Sequence, residues 1–345
     1  MRRLDPFKSA TIDMVEASYD LEGPDVDWCS RVLSVGGSVC EQGRGAVGLI
    51  FERPPEGGNV RVRSWVVAGA APEDAPMRLN RGFLAGGANV TRAATRPGIV
   101  TTVSEFTAAY PGALQKWQSE VGFAKDGLGI SAADPCGTGV IIFVLLPEAR
   151  TVGSDERHHW QMLCSHLASA HRMRRAVTNG DVGEAALPHA AEAILDPRTF
   201  QVTDAVGKAK QGQAVEKLRD AAVRVDRARG RMRKDAPDEA LRTWWAMMHG
   251  RWSLLDWFDS DQRRYVLAIP NRPDLGDPRG LTERELEVAT YAALGESGKL
   301  ISYRLGVSKS TVSNALNAAM RKLGIKTQPQ LAEKMRGFTK HFAKN

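Results

Sequence analysis

The clearest sequence pattern in the chain begins Leu281-Thr282-Glu283-Arg284-Glu285-Leu286-Glu287-Val288 and ends Arg321-Lys322-Leu323-Gly324-Ile325. Thr282 precedes an apolar-periodic run and has Glu285 three residues later, which is the spacing of a capping box. This pattern predicts a helix that runs to about Leu294. Gly295 suits the left-handed residue just past its end.

A helix-turn-helix follows in the sequence. We predict a second short helix from about Ser297 to Leu305, with a tight turn at Gly306, where glycine accommodates a positive φ. Val307 can fill the space between the helices, and Ser308 is the next N-cap. Thr327 is placed to cap a final helix that has Leu331 and Met335 on its buried side.

The helix after Ser308 has two chemically different faces. Val312, Leu316, Ala319 and Leu323 repeat at i, i+4, i+7 and i+11 and predict the inward face. The outward face carries short polar and basic side chains, which suit contacts to DNA bases and phosphates. We predict phosphate contacts by Lys309, Arg321, Lys322 and Lys326, base-edge contacts by Ser310, Ser313, Asn314 and Asn317, and a further DNA contact by Thr311.

Charge supports a role in DNA binding. The chain has a formal net charge of +7, and residues 281–345 contain 11 basic and 5 acidic residues, so most of the excess lies there. From Lys309 onward only Glu333 is acidic. A basic surface on a helix that fits the major groove is what phosphate binding requires. A small helical bundle without a nucleic-acid role is the alternative.

At these positions the chain resembles the LuxR-type (GerE-like) helix-turn-helix domain, without a gap from Leu281 to about Leu331. The resemblance implies a four-helix domain that binds DNA as a dimer, with the last helix often contributing to the dimer contact. Gly298, Leu300 and Ser302 depart from the family pattern, as do Ser313 and Asn314, which replace a common Lys and a common His. The matching residues are Leu281, Thr282, Arg284, Glu285, Glu287, Val288, Gly295, Ser297, Lys299, Ile301, Leu305, Val307, Ser308, Thr311, Val312, Lys322, Leu323 and Gly324.

Length and composition indicate the number of domains and the class of protein. At 345 residues with 43% hydrophobic content, the sequence suits two or three globular domains. We expect a cytoplasmic protein without membrane association, because the N-terminus lacks a signal peptide and the longest apolar run, Val140–Leu146, is too short to span a bilayer. The four scattered cysteines indicate reduced thiols.

Residues 1–180 mix helices and strands. We predict a helix over Asp25–Val35 with Trp28, Val32 and Val35 on one side. Two strand pairs are predicted at 47–52 with 60–68 and at 127–131 with 140–146, and a helix from Ser154 to about Val177. The order of elements resembles a GAF-type sensory domain. That resemblance implies a small-molecule pocket on one face of the sheet, with pocket residues that the sequence does not identify.

Residues 181–271 form a second, smaller predicted module. Ala193–Pro197 resembles the first strand and turn of a PAS-type domain, and 254–258 with 264–269 predicts a hairpin. Residues 272–280 are the expected linker to the helix-turn-helix domain at 281–345. The predicted fold class is therefore multidomain: α+β sensory domains, GAF-like and then PAS-like, followed by an all-α domain.

Several patterns in the N-terminal region invite other interpretations. Gly43–Gly48 fits the dinucleotide-binding motif GxGxxG, but a predicted strand follows where a helix is required. His158, His159, His166, His171 and Cys164 share one helix without a metal-site pattern, so we expect no metal and no cofactor. Four tryptophans between Trp244 and Trp257 favour core packing over ligand stacking. The apolar stripe Val215–Val225 suits either a dimer seam or a face packed on a sheet.

These observations predict a DNA-binding transcription regulator that acts as a homodimer on double-stranded DNA. A small molecule or protein signal at the N-terminal region would control it. No catalytic constellation stands out, so we do not expect an enzyme. The alternatives are a sensor or partner-binding protein whose helical domain no longer binds DNA, and a small-molecule enzyme with a fused DNA-binding tail.

Overall fold

The computed structural model describes residues 6–41, 44–52, 60–85, 87–110, 112–134, 137–178, 187–247, 251–271 and 281–339. The chain divides into two compact units. The first unit comprises residues 5–18, 22–168 and 333–345, and the second comprises 1–4, 19–21 and 169–332. Together they contain two antiparallel sheets in the N-terminal α+β region and an all-helical C-terminal region.

The first unit contains a five-stranded antiparallel sheet with strand order β2-β1-β5-β4-β3. Strand β5 is buried along its whole length, because helices cover both faces of the sheet. The elements are α1 (Pro6–Ser18), α2 (Asp25–Glu41), β1 (Ala46–Glu52), β2 (Arg61–Ala68), α3 (Ala75–Ala85), α4 (Ala88–Ala94), β3 (Val100–Thr102), α5 (Val103–Thr107), α6 (Ala113–Val121), β4 (Asp126–Ala133), β5 (Thr138–Leu146) and the first part of α7 (Ser154–Thr178).

The two predicted strand pairs of this sheet are confirmed. β1 pairs with β2, β4 pairs with β5, and β1 with β5 joins the two hairpins. The glycine-rich stretch before β1 leads into a strand, as predicted, and not into the helix that a dinucleotide site needs. Residues 53–59, between β1 and β2, and residues 135–136, between β4 and β5, lie outside the described residues.

One detail of the first predicted helix is wrong. Trp28 and Val32 are buried, but Val35 is exposed. The buried face also includes Cys29 and Leu33, so its centre is rotated and Val35 falls at its edge. Helix α2 extends further than predicted, to Glu41, and crosses a kink at Gly37, where φ is 42°.

The second unit contains a four-stranded antiparallel sheet with strand order β7-β6-β9-β8. The predicted hairpin is confirmed as the pair β8 and β9. The elements are β6 (Ala193–Leu195), β7 (Val202–Ala205), α8 (Gly212–Arg229), α9 (Met232–Asp235), α10 (Pro237–Thr243), β8 (Trp252–Phe258) and β9 (Arg264–Pro270), with single 3-10 turns at Pro188–Ala190 and Gly207–Lys210.

The apolar stripe of α8 packs on this sheet. Leu218 and Ala222 are buried in one cluster with Leu195, Val266 and Ala268 from the strands. Of the two interpretations of the stripe, the structure therefore favours sheet packing. Of the four tryptophans predicted to favour core packing, Trp244 and Trp252 are buried, whereas Trp245 and Trp257 are only half-buried.

Four helices complete the second unit and extend beyond it: α11 (Glu283–Ala293), α12 (Gly298–Leu305), α13 (Lys309–Lys322) and α14 (Gln328–Thr339). They follow the predicted helices closely. Residues 169–271 and 281–332 belong to one compact unit, while the predicted linker at 272–280 lies outside the described residues. Within the described part of the chain, no helix is long and apolar enough to cross a membrane.

Candidate nucleic-acid interface

A reciprocal cap fixes the start of α11. Thr282 Oγ1 accepts a hydrogen bond from the Glu285 backbone N–H at 3.2 Å, and the Thr282 N–H donates to Glu285 Oε2 at 2.8 Å. Lys322, at the end of α13, donates to the same carboxylate oxygen at 2.7 Å. Although partial desolvation opposes it, these hydrogen bonds hold the pKa of Glu285 below its ordinary value. The cap thus also ties α13 to α11.

The turn between α12 and α13 has the predicted geometry. Gly306 has φ 61°, a left-handed conformation that a side chain would strain. The Ser302 hydroxyl donates to the Val307 carbonyl at 2.6 Å and closes the turn. Ser308 then caps α13 by accepting a hydrogen bond from the Thr311 N–H at 3.1 Å. The Ser302 hydrogen bond, the Ser308 cap and the left-handed Gly306 together set the angle between α12 and α13.

A buried ion pair lies beneath this turn. The Arg304 guanidinium contacts the Glu296 carboxylate with both a 2.7 Å and a 3.2 Å hydrogen bond, and both side chains are essentially fully buried. Burial opposes the charge on Arg304, but the Glu296 carboxylate raises the pKa of that guanidinium above its ordinary value. Arg304 also lies over the Tyr291 ring, 4.7 Å from its centroid. The pair fixes α12 against the end of α11.

Helix α12 also packs against the second sheet module. The Tyr303 hydroxyl lies 3.0 Å from the Leu241 carbonyl oxygen and 2.9 Å from that of Trp244. The Met247 N–H donates to the Arg304 carbonyl at 3.0 Å. Burial raises the pKa of Tyr303 well above its ordinary value, so the hydroxyl keeps its proton and remains a donor. One face of the helix-turn-helix is therefore committed to contacts within the protein.

Charged contacts surround this docked face. Glu283 Oε2 accepts hydrogen bonds from Arg251 at 2.9 Å and from Lys208 at 3.2 Å. Arg172, near the end of α7, donates to the Tyr291 hydroxyl at 3.3 Å. These pairs are partly exposed, so each contributes little to stability by itself. Together they define which face of the helical domain is covered.

Helix α13 presents its opposite face to solvent. Val312, Ala319 and Leu323 are buried, and Leu316 is half-buried, in agreement with the predicted inward face. Every residue predicted to contact DNA is exposed. These are Lys309, Ser310, Thr311, Ser313, Asn314, Asn317, Arg321 and Lys322 on α13, and Lys326 just beyond it.

Three of these nine side chains have hydrogen-bond partners among residues 281–339. The hydroxyls of Ser310 and Thr311 lie 2.7 Å and 2.8 Å from Ser308 Oγ, so they belong to the hydrogen-bonded N-terminal turn. Lys322 pairs with Glu285. Asn314 and Asn317 lie one turn apart on the exposed face, which suits a pair of base-reading side chains.

The helices, the tight turn and the exposed polar face define a helix-turn-helix domain. Residues 279–335 match the family described as GerE, bacterial regulatory proteins, luxR family. This finding agrees with the resemblance noted for residues 281–331, and it leaves the N-terminal α+β region unassigned. A search of curated proteins found no significant match for the chain.

Proposed function

We propose that this protein is a sequence-specific DNA-binding transcription regulator that acts in the cytoplasm as a homodimer. The observation that carries the proposal is the different exposure of α12 and α13. Helix α12 is buried against the second sheet module, whereas all nine predicted contact residues on and just beyond α13 are exposed. A docked helical domain thus still presents its recognition face.

The proposed contacts fall into two groups. Lys309, Arg321 and Lys326 would bind phosphates and set the register on the duplex, with Lys322 exchanging its Glu285 partner for a phosphate. Asn314 and Asn317, with Ser310, Thr311 and Ser313, would contact base edges in the major groove. Two such helices in a dimer would read half-sites about one helical turn apart.

The α+β region is the proposed sensory part. Its five-stranded sheet covered by helices on both faces supports a GAF-like domain at 1–180, and its smaller four-stranded sheet supports a PAS-like module at 181–271. A signal at this region would shift the population of dimer geometries that can span both half-sites. The proposed function does not include catalysis.

A band-shift assay with the full chain, genomic DNA fragments and a salt series tests the DNA-binding proposal. The double variant Asn314→Ala with Asn317→Ala should weaken binding to the preferred fragment by at least about tenfold, because each lost bidentate contact costs on the order of 1–3 kcal/mol. Binding to unrelated fragments should hardly change. Gln201→Ala is the matched control, since it removes an exposed amide from the second sheet module.

The phosphate contacts have a separate signature. Lys309→Ala with Arg321→Ala should reduce the slope of log affinity against log salt by about 2, with affinity falling on all fragments alike. Lys217→Ala, an exposed lysine on α8, should leave that slope unchanged. If the full chain binds no fragment at low salt, the DNA-binding proposal is wrong, and a helical domain kept for protein interaction becomes the better interpretation.

A further inference from the structure

The first unit contains an apolar cavity between one face of its sheet and the helices that cover that face. Gly129 and Ser131 of β4 and Phe143 of β5 form its floor, while Phe83 of α3 and Trp117 of α6 form part of its wall. Its volume is about 570 Å³ including the part open to solvent. Concave sites lined mainly by apolar and aromatic side chains, with a few polar groups, are the kind that accept small organic molecules.

Missing side chains create the space. Gly129 pairs with Thr101 and Phe143 in the sheet, and a Cβ added there would have its nearest neighbours at 3.7 Å, an ordinary contact distance. At Gly82 of α3, an added Cβ would lie 2.8 Å from the Trp117 ring, so only glycine lets the indole lie this close to the helix. The cavity therefore depends on glycines at both floor and wall.

Two polar groups at this cavity have no partner. The Trp117 Nε1–H and the Ser131 hydroxyl are buried without a hydrogen bond among the described residues. The two side chains are only 2% and 1% exposed. A buried donor without a hydrogen bond is unfavourable, so such groups normally have a function or an outside partner. Both belong to residues that line the same cavity.

The lining specifies the chemistry of that partner. Among the described residues that line the cavity, all are uncharged and most are apolar or aromatic. Phe83, Phe106, Phe143 and Trp117 offer ring faces and edges against which a flat molecule can pack. A charged ligand would lose its hydration without gaining a counter-ion.

We infer that this cavity binds a small neutral aromatic compound that carries a hydrogen-bond acceptor, such as an aryl ketone, with Trp117 and Ser131 donating to the acceptor. This inference rests on the proposed sensory role and specifies its ligand class. The acceptor would satisfy donors that the protein itself leaves unpaired.

Isothermal titration calorimetry tests the inference by measuring how three small-molecule probes bind to the full chain in the absence of DNA. The probes are acetophenone, ethylbenzene (which lacks the acceptor) and benzoate (which is charged). Acetophenone should bind saturably with one site. Ethylbenzene should bind about tenfold more weakly, because one hydrogen bond is worth on the order of 1.4 kcal/mol here. Benzoate should not bind measurably.

Variants locate the site. Ser131→Ala and Trp117→Phe should each weaken acetophenone binding several-fold, and Gly129→Val should abolish it by filling the cavity. Ser64→Ala is the matched control, because Ser64 also has a buried hydroxyl without a partner on the same sheet but does not line the cavity. The conservative Ser131→Ala keeps the test informative if Gly129→Val fails to fold.

The inference is wrong if acetophenone does not bind, if ethylbenzene or benzoate binds as tightly, or if Ser64→Ala weakens binding as much as Ser131→Ala. None of these outcomes depends on whether the protein binds DNA, because the band-shift assay measures DNA binding independently. Failure of the ligand inference and failure of the proposed regulator function are therefore distinguishable.

Discussion

Ser131 on the first sheet and Ser253 on the second are both buried serines, but their hydroxyls differ in their hydrogen bonding. Ser131 of β4 lines the cavity and has no hydrogen-bond partner in the part of the chain that the structure describes. Ser253 of β8 lies in a hydrogen-bonded cluster: 2.9 Å from Ser169 Oγ, 2.9 Å from Asn271 Nδ2 and 3.3 Å from the Ala246 carbonyl oxygen. Among the described residues, Ser131 therefore has no hydrogen-bond partner, whereas Ser253 has three.

The different hydrogen bonding of the two serines indicates that the two sheets have different roles. A satisfied buried network specifies one arrangement of the elements that it joins, and Ser253 joins α7, β8 and the end of β9. An unsatisfied hydroxyl in an open cavity stabilises nothing inside the protein. We interpret the second sheet module as the rigid support of the helical domain and the first sheet as the part that accepts a ligand.

The largest expected effect comes from breaking the most buried ion pair of the second unit. Arg304→Met leaves the Glu296 carboxylate buried and unpaired, so the free energy of unfolding should fall by about 3–5 kcal/mol. Denaturant unfolding of the second unit measures this change. The double variant with Glu296→Leu should recover most of the loss, since it removes both charges; a double variant as unstable as the single one would contradict this account.

A second effect, smaller for each pH unit, should appear as a pH dependence. Burial outweighs the neighbouring Arg284 guanidinium and raises the pKa of Glu287 from 4.5 to about 8. A carboxyl with a raised folded-state pKa stabilises the fold fully below pH 4.5 and loses that contribution as pH rises towards 8. Unfolding free energy should therefore fall by up to about 1.4 kcal/mol per pH unit in this window. Glu287→Gln should flatten the slope, unlike the exposed control Glu216→Gln.

The network of Ser253 should make a moderate contribution. Ser253→Ala removes a hydroxyl that the Ser169, Asn271 and Ala246 groups share, so we expect a loss of about 1–3 kcal/mol in unfolding free energy. Calorimetric or denaturant unfolding of the full chain can measure it. A change near zero would mean that the cluster does not hold the second unit together.

The smallest effect is expected at the matching serine of the first sheet. Ser131→Ala should change unfolding free energy by less than about 0.5 kcal/mol, and a small gain is the expected sign, because no hydrogen bond is lost. Measured beside Ser253→Ala, it tests the comparison directly. A loss as large as that of Ser253→Ala would show that Ser131 has a structural partner and would weaken the ligand inference.

Local patterns in the sequence predicted much of the fold. Caps at Thr282 and Ser308, the turn at Gly306 and the strand pairs of both sheets depend on neighbours within a few residues or on simple alternation, and the structure agrees with them. Helices α1, α3–α6, α9 and α10 and the short strands β3 and β7 were not predicted. Their segments are short or weakly patterned, and most of them are stabilised by burial against the sheets.

The contacts that define the candidate sites were harder to predict. Glu296 precedes the cap of α12, so no helical spacing pairs it with Arg304; the pair exists only after the chain folds. The cavity likewise depends on Gly82, Gly129 and Trp117, which are distant in sequence. The exposed face of α13, in contrast, follows from one helical period, which is why its residues could be named in advance.

The hydrogen bonds of Tyr303 have a further consequence for how the helical domain unfolds. Its hydroxyl lies beside the Leu241 and Trp244 carbonyls, the groups that the end of α10 leaves without intrahelical partners. A side chain of the helix-turn-helix therefore caps the C-terminal end of a helix in the neighbouring module. The two should melt in a single cooperative step, and a protease that cuts between them should leave neither piece with its full resistance to unfolding.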